Sequence, residues 1–239
     1  MEPLIQYAKT KDGVSIAFWT LGEGMPLVHL ANFPWSHVQA EWQNDERRHW
    51  YEQLVGKGRM LIRYDGRGTG LSDRKAIDFS LDALMLDLEA VVDKLGLVRF
   101  ALLSYLVSGA AAITYAAKNP ERVSRLALWC ASARPTDSLT KMTEPMTRLA
   151  ETDWDAFTET FAHMGMGWSA GEVARRYAAF MRDCATPEVA MEALSELLAF
   201  DVTATLPQVK APTLVLHRRQ YPWIPVEFRQ RACVADTRR

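Results

Sequence analysis

Apolar and β-prone residues cluster from Ile5 to Ala8 and again from Val14 to Trp19, with Lys11-Asp12-Gly13 between the two runs. Asp-Gly between such runs predicts a hairpin, because glycine adopts the positive φ that a tight turn requires. Pro26 to Ala31 and Met60 to Tyr64 read as further strands, the second apolar apart from Arg63, and the segment between them, rich in Glu46, Arg47, Arg48 and Trp50, reads as a helix. From Leu81 onward Leu84, Leu88, Val91 and Leu95 recur at helical steps. Ser80 is placed to cap that helix and Gly96 to end it. Its acids, Asp82, Asp87, Glu89 and Asp93, are expected on the polar face.

The densest signal runs from Arg99 to Leu128. Phe100 to Leu103 reads as a buried strand, Gly109 to Lys118 as a small-residue helix, and Val123 onward as a second buried strand. Ala110, Ala111 and Ala112 let the helix lie close to a sheet, and Asn119-Pro120 stops it, since proline has no amide hydrogen for the next turn. From about Ala133 to Leu206 the spacing is helical and amphipathic, with Trp154, Phe157, Phe161, Trp168 and Phe180 among many charges. Lys210-Ala211-Pro212 then leads into T-L-V-L-H, read as a buried strand. The runs between Arg99 and Leu128 form a strand, turn, helix, strand unit.

Composition narrows the class. A length of 239 residues and 49% hydrophobic content suit one domain with an insertion. With 28 basic against 29 acidic residues and no long run of either sign, no nucleic-acid partner or polybasic membrane surface is expected. Arg47-Arg48, Arg175-Arg176 and Arg238-Arg239 read as solvated pairs. Cys130, Cys184 and Cys233 are odd in number, far apart and without a C-x-x-C, so neither a disulfide framework nor a metal site is expected; no cofactor is implied. Such cysteine usage fits a reducing cytoplasm. The N-terminus carries no signal-peptide pattern, and no apolar run approaches the roughly 20 residues of a membrane helix.

The Arg99 to Leu128 unit resembles the centre of the α/β-hydrolase fold, where a strand, a sharp G-x-S-x-G turn and a helix present a nucleophilic serine; the resemblance implies an α/β protein, a mostly parallel twisted sheet with helices on both faces. On that pattern Ser104 and Ser108 take the glycine positions and Leu106 takes the serine's, with Tyr105 and Val107 between. Leucine has no nucleophilic atom, which leaves Ser104 and Ser108 as displaced candidates. Y-D-G-R-G-T-G-L-S-D-R, from Tyr64, resembles the family's D-x-R-G-x-G-x-S-D turn, with Asp65, Arg67 and Asp73 placed to pin it. The resemblance further implies that the backbone N–H groups of Phe33 and Val107 face an oxyanion, with Asn32, Trp35, His37 and Tyr105 as pocket candidates. Ala31-Asn32 stands where His-Gly usually follows the third strand. Segment 133–206 matches a helical cap inserted after the sixth strand, whose aromatic and methionine side chains either line a pocket or glue the cap to the core. In H-R-R-Q-Y-P-W-I-P, from His217, Tyr221 holds the place of the family's acid, and none of His29, His37, His49, His163 and His217 matches the family's histidine.

The resemblance divides the chain into a first part of the core at 1–132, the cap at 133–206, a second part of the core at 207–230 and an atypical tail at 231–239. Under one coding that the genetic code allows for the tail's R-A-C-V-A-D-T-R-R, removing one nucleotide at codon 231 gives R-L-A-S-R-I-P-D-A, which reads like the family's next helix and strand. The expectation is a shortened protein lacking the last strand and helix, with an uncovered sheet edge that would allow dimerisation. A looser resemblance extends to hydrolase-like regions of bacterial cyclase and transcription-regulator proteins.

These residues favour a pseudo-hydrolase that binds a small apolar ligand or serves as a regulatory domain, because loss of the nucleophile alone costs on the order of 10⁶ in rate. The alternative is a weak serine-type hydrolase of esters, lactones or small amides. No H-E-x-x-H or Cys/His cluster points to a metal or redox enzyme.

Overall fold

The hairpin forms as the Asp12-Gly13 turn predicts. β1 (Gln6–Lys9) and β2 (Ser15–Leu21) pair antiparallel around Gly13, whose φ is 92°. In the computed structural model, which describes residues 2–56, 58–76, 78–134 and 144–217, five more strands follow. They are β3 (Met25–His29), β4 (Arg59–Tyr64), β5 (Phe100–Tyr105), β6 (Val123–Trp129) and β7 (Thr213–Leu216). The sheet order is β1-β2-β4-β3-β5-β6-β7; β2 is antiparallel to its neighbours and the rest run parallel.

Parallel neighbours need crossovers, and helices supply them. α1 (Val38–Gln43) and α2 (Asp45–Val55) join β3 to β4, α3 (Leu81–Lys94) joins β4 to β5, and α4 (Gly109–Lys118) joins β5 to β6. α1 was not separately legible in the sequence; it starts because His37 caps it, Nδ1 accepting from Ala40 N–H at 3.3 Å. Ser80 caps α3 as expected, and Gly96, at φ 63°, turns the chain at its end. α3 and α4 pack on one face of the sheet, and α1 and α2 on the other against β2 and β4. Between β6 and β7 lie α5 (Glu144–Thr152), α6 (Trp154–Met166), α7 (Glu172–Cys184) and α8 (Pro187–Ala199), as the amphipathic pattern predicts.

Three expectations need correction. Asp87 is not on a polar face: its side chain is 1% exposed, because Arg67 from the turn after β4 reaches it and neutralises it. The T-L-V-L strand is not buried: among the described residues β7 is the last strand of the sheet, and Leu214 and Leu216 are 55% and 44% exposed. Arg47 is not simply solvated, since its guanidinium lies 3.4 Å from Glu41 and 4.5 Å from the centre of the Phe180 ring, tying α2 to α7. Among the cap aromatics, Phe157 and Phe161 are core residues and Trp154 stacks on Phe157, whereas Trp168 stands in solvent. Tyr221, Cys233, Arg238-Arg239 and the tail at 231–239 lie outside the described residues.

Candidate functional site

At the end of β5 the chain bends through a single 3-10 turn, Leu106–Ser108, directly into α4. Leu106 forms the apex with φ 53°, a left-handed conformation that costs a leucine about 1–2 kcal/mol. Two features hold it there. Ser108 Oγ accepts from Tyr105 N–H at 3.2 Å and donates to the Tyr105 carbonyl at 2.9 Å, stapling the bend. Gly109 lets α4 approach the exit of β6, since a Cβ there would lie 2.7 Å from Ala131 Cβ and 3.0 Å from the Ser132 carbonyl. The strained elbow that the resemblance implies is therefore built, with leucine at its tip.

Neither flanking serine presents a free hydroxyl. Ser104 is fully buried in β5, 3.2 Å from Ser108 Oγ. Since Ser108 uses its hydrogen on the Tyr105 carbonyl, Ser104 is the donor of that pair.

The loop after β3 is fixed by a buried polar network. The Asp65 carboxylate accepts from Ser36 Oγ at 2.7 Å, Val38 N–H at 2.8 Å and Leu71 N–H at 2.9 Å, joining this loop to the turn after β4. Gly70, at φ 52°, is required beneath it, because a Cβ would sit 2.2 Å from Asp65 Oδ2. Arg63 donates to Ser36 Oγ at 3.0 Å and to Glu41 at 2.7 and 2.9 Å, and the Tyr51 hydroxyl donates to Glu41 at 2.6 Å. Burial alone would raise the Glu41 carboxyl, but the Arg63 and Arg47 guanidiniums outweigh it and hold it at about 2. Burial pushes Asp65 up to about 7, against the pull of Arg63 and with the help of Glu41. Among the described residues the Asp73 side chain accepts locally, from Lys75 N–H at 3.0 Å, whereas Asp65 and Arg67 reach across the turn and pin it.

Elbow and loop meet at a small cavity of about 20 Å³, room for roughly one water. Phe33 and Val107, whose backbone N–H groups the resemblance assigns to an oxyanion, both line it, as do Ser108, Asp87 and, from the α8 end, Leu197 and Phe200. The other pocket candidates lie elsewhere. Trp35 packs on Trp154 and Phe161 of α6, and Tyr105 meets Trp129 edge-on. His37 serves α1 as its cap; Asn32 Oδ1 is buried with no hydrogen-bond partner. Leu197 and Phe200 were not singled out in the sequence, being ordinary apolar positions in a helical pattern.

No histidine is shown engaging either serine among the described hydrogen bonds. His49 meets Gln53, His163 stacks on Trp168, and His217 follows the last strand. His29 is sealed between Trp50 and Tyr51, and burial followed by the Arg63 charge pushes its imidazole down to about 3. Among the described residues no group of His, Cys, Asp and Glu is placed to hold a metal, and no helix is long and apolar enough to cross a membrane.

The profile of the alpha/beta hydrolase fold matches residues 31–217. The chain is 26% identical over 234 residues to the AB hydrolase superfamily protein YisY of Bacillus subtilis, covering 93% of this chain and 84% of that protein. It is 31% identical over 130 residues to a haloalkane dehalogenase of Agrobacterium fabrum, covering 54% of this chain and 40% of that enzyme. In three dimensions it superposes on an esterase from Exiguobacterium antarcticum with a TM-score of 0.80 at 19% identity, over 95% of this chain and 85% of the esterase. Strand order, elbow, pinned turn and sequence profile agree: this chain belongs to the α/β-hydrolase fold family.

Proposed function

We propose that the chain binds a small apolar ligand, as a ligand-binding or regulatory member of its family, and carries out no serine-type hydrolysis at the elbow. The observation that carries this reading is Leu106: the strained apex at φ 53° holds a hydrocarbon side chain. The neighbouring hydroxyls of Ser104 and Ser108 are committed to each other and to the Tyr105 backbone. A serine with no base beside it is a poor nucleophile at neutral pH. The cavity walls are largely apolar, with Leu30, Phe33, Leu84, Leu197 and Phe200 around it, and a guest larger than water requires the walls to move apart.

A second reading is hydrolysis of esters, lactones or small amides. The hydrolase name of YisY supports it, as does the shared position of Phe33 and Val107 at one cavity. Treating the folded protein with a fluorophosphonate and locating adducts by peptide mass spectrometry separates the two. An unlabelled chain whose melting temperature rises with short-chain esters or lactones, without product, supports binding. An adduct on Ser104 or Ser108 overturns it in favour of hydrolysis.

A further inference from the structure

Among the described residues no strand pairs with the outer side of β7. Leu126 N–H donates to the Pro212 carbonyl at 3.0 Å and Cys130 N–H to the Leu216 carbonyl at 2.8 Å. In a parallel ladder of that phase, the even-numbered residues of β7 face β6 and the backbone groups of Thr213 and Val215 point outward. The side chains of Leu214 and Leu216 stand beside Ala127 and Trp129, their register partners. Along one row of this face run Trp19, Arg63, His29, Leu103, Ala127 and Leu214. α1 and α2 cover its first part, and Trp50 of α2 meets Trp129 of β6, ring centres 5.7 Å apart. The strand itself, T-L-V-L, carries no charge and no proline, the usual guards of an edge.

We propose that β7 is the surface through which two copies of this chain associate about a two-fold axis, each β7 pairing antiparallel with the other. The edge is self-complementary in one register. With Val215 on the axis, the outward backbone groups of the two Val215 residues exchange hydrogen bonds, and Leu214 of each copy falls beside Leu216 of the other on the same face. A slip of one residue sets leucine against valine on opposite faces and loses both matches. The pairing buries the exposed leucines and continues the apolar face from Trp129 of one copy to Trp129 of the other.

Sedimentation velocity of the full chain and three variants tests this. The wild type is expected at twice the mass of one chain, with the amides of Thr213 and Val215 slow to exchange. Leu214→Lys and Leu216→Glu each set a charge against leucine on both sides of the axis and are expected to give monomers; both leucines are about half exposed, so the core is untouched. Combining the two substitutions brings opposite charges together twice and restores the dimer, which no other register does. A wild type that is monomeric at about 100 µM, a concentration that populates even a weak dimer, overturns the proposal. So does a dimer that survives the single substitutions, or a double variant that stays monomeric. Slow Thr213 and Val215 exchange in a monomer would assign the edge to another part of this chain and equally overturn it.

Discussion

Arg67 Nε and Asp87 Oδ1 meet at 2.9 Å with each side chain 1% exposed, so an ion pair sealed from water clamps the turn after β4 to α3. Arg67 N–H also donates to Asp87 Oδ2 at 2.9 Å, and Asp12 takes the far side of the guanidinium at 2.9 Å. The turn in question carries Gly66 at the wall of the cavity. Removing one partner of a buried pair leaves the other uncompensated, which typically costs about 3–5 kcal/mol. Asp87→Ala is therefore expected to lower the urea midpoint strongly, and the exposed Asp82→Ala to change it little. Equal midpoints for the two variants would show that the clamp contributes nothing.

How much of this was legible in the sequence follows from which interactions are local. Hairpin, caps and the elbow helix were readable because Gly13, Ser80 and Asn119-Pro120 act on their own neighbours in the chain. Asp87 was misplaced because helical spacing describes one helix, whereas its partner Arg67 lies 20 residues away in a loop. The exposure of β7 was missed for a related reason: an apolar run looks the same in the middle of a sheet and at its edge. Leu106 was placed at the apex by motif spacing alone, and the φ of 53° agrees with that placement. That Ser108 staples the elbow depends on hydroxyl geometry, which spacing does not encode.

Acid should destabilise the protein through His29 and Glu41. The imidazole at about 3 binds a proton in the unfolded chain before it does in the folded one, so its contribution is whole above 6.5 and falls as pH drops from 6.5 towards 3. Glu41, held at about 2, adds a loss between 4.5 and 2. Asp65 and Asp87, raised by burial to about 7, act oppositely, their contributions shrinking as pH rises from 3.8 to 7. Each pH unit inside the histidine window is worth up to about 1.4 kcal/mol. His29→Phe is expected to gain stability relative to the wild type as pH falls from 6.5 to 4 in urea titrations, and a difference that does not change with pH would rule out His29 as a source of the dependence.

Close approach at the elbow predicts that Gly109→Ala destabilises, although alanine is the better helix former by about 1 kcal/mol. The added methyl would meet Ala131 Cβ at 2.7 Å and the Ser132 carbonyl at 3.0 Å, and overpacking of this kind costs about 1–3 kcal/mol. Adding Ala131→Gly should recover part of the loss, because it removes the nearer of the two contacts and leaves the carbonyl. Thermal melts of the single and double variants measure both effects; a stabilised single variant would mean that α4 moves away from β6 without cost.

Leu106→Ser restores the residue type that the elbow is shaped for, and it is the sharpest test of how much of the hydrolase apparatus remains. The substitution leaves Phe33 and Val107 beside the cavity and puts a hydroxyl at the apex. It supplies no base. The described hydrogen bonds and ring contacts place His37 in the cap of α1, His29 between Trp50 and Tyr51, and His163 against Trp168. A nucleophile without its base forfeits most of the roughly million-fold acceleration that the assembled triad provides. The variant, shown by its melt to be folded, is expected to hydrolyse p-nitrophenyl acetate no faster than the wild type and to stay unlabelled by fluorophosphonate. Turnover that rises well above wild type would instead mean that a base reaches the apex, leaving Leu106 as the single lesion in a working hydrolase frame.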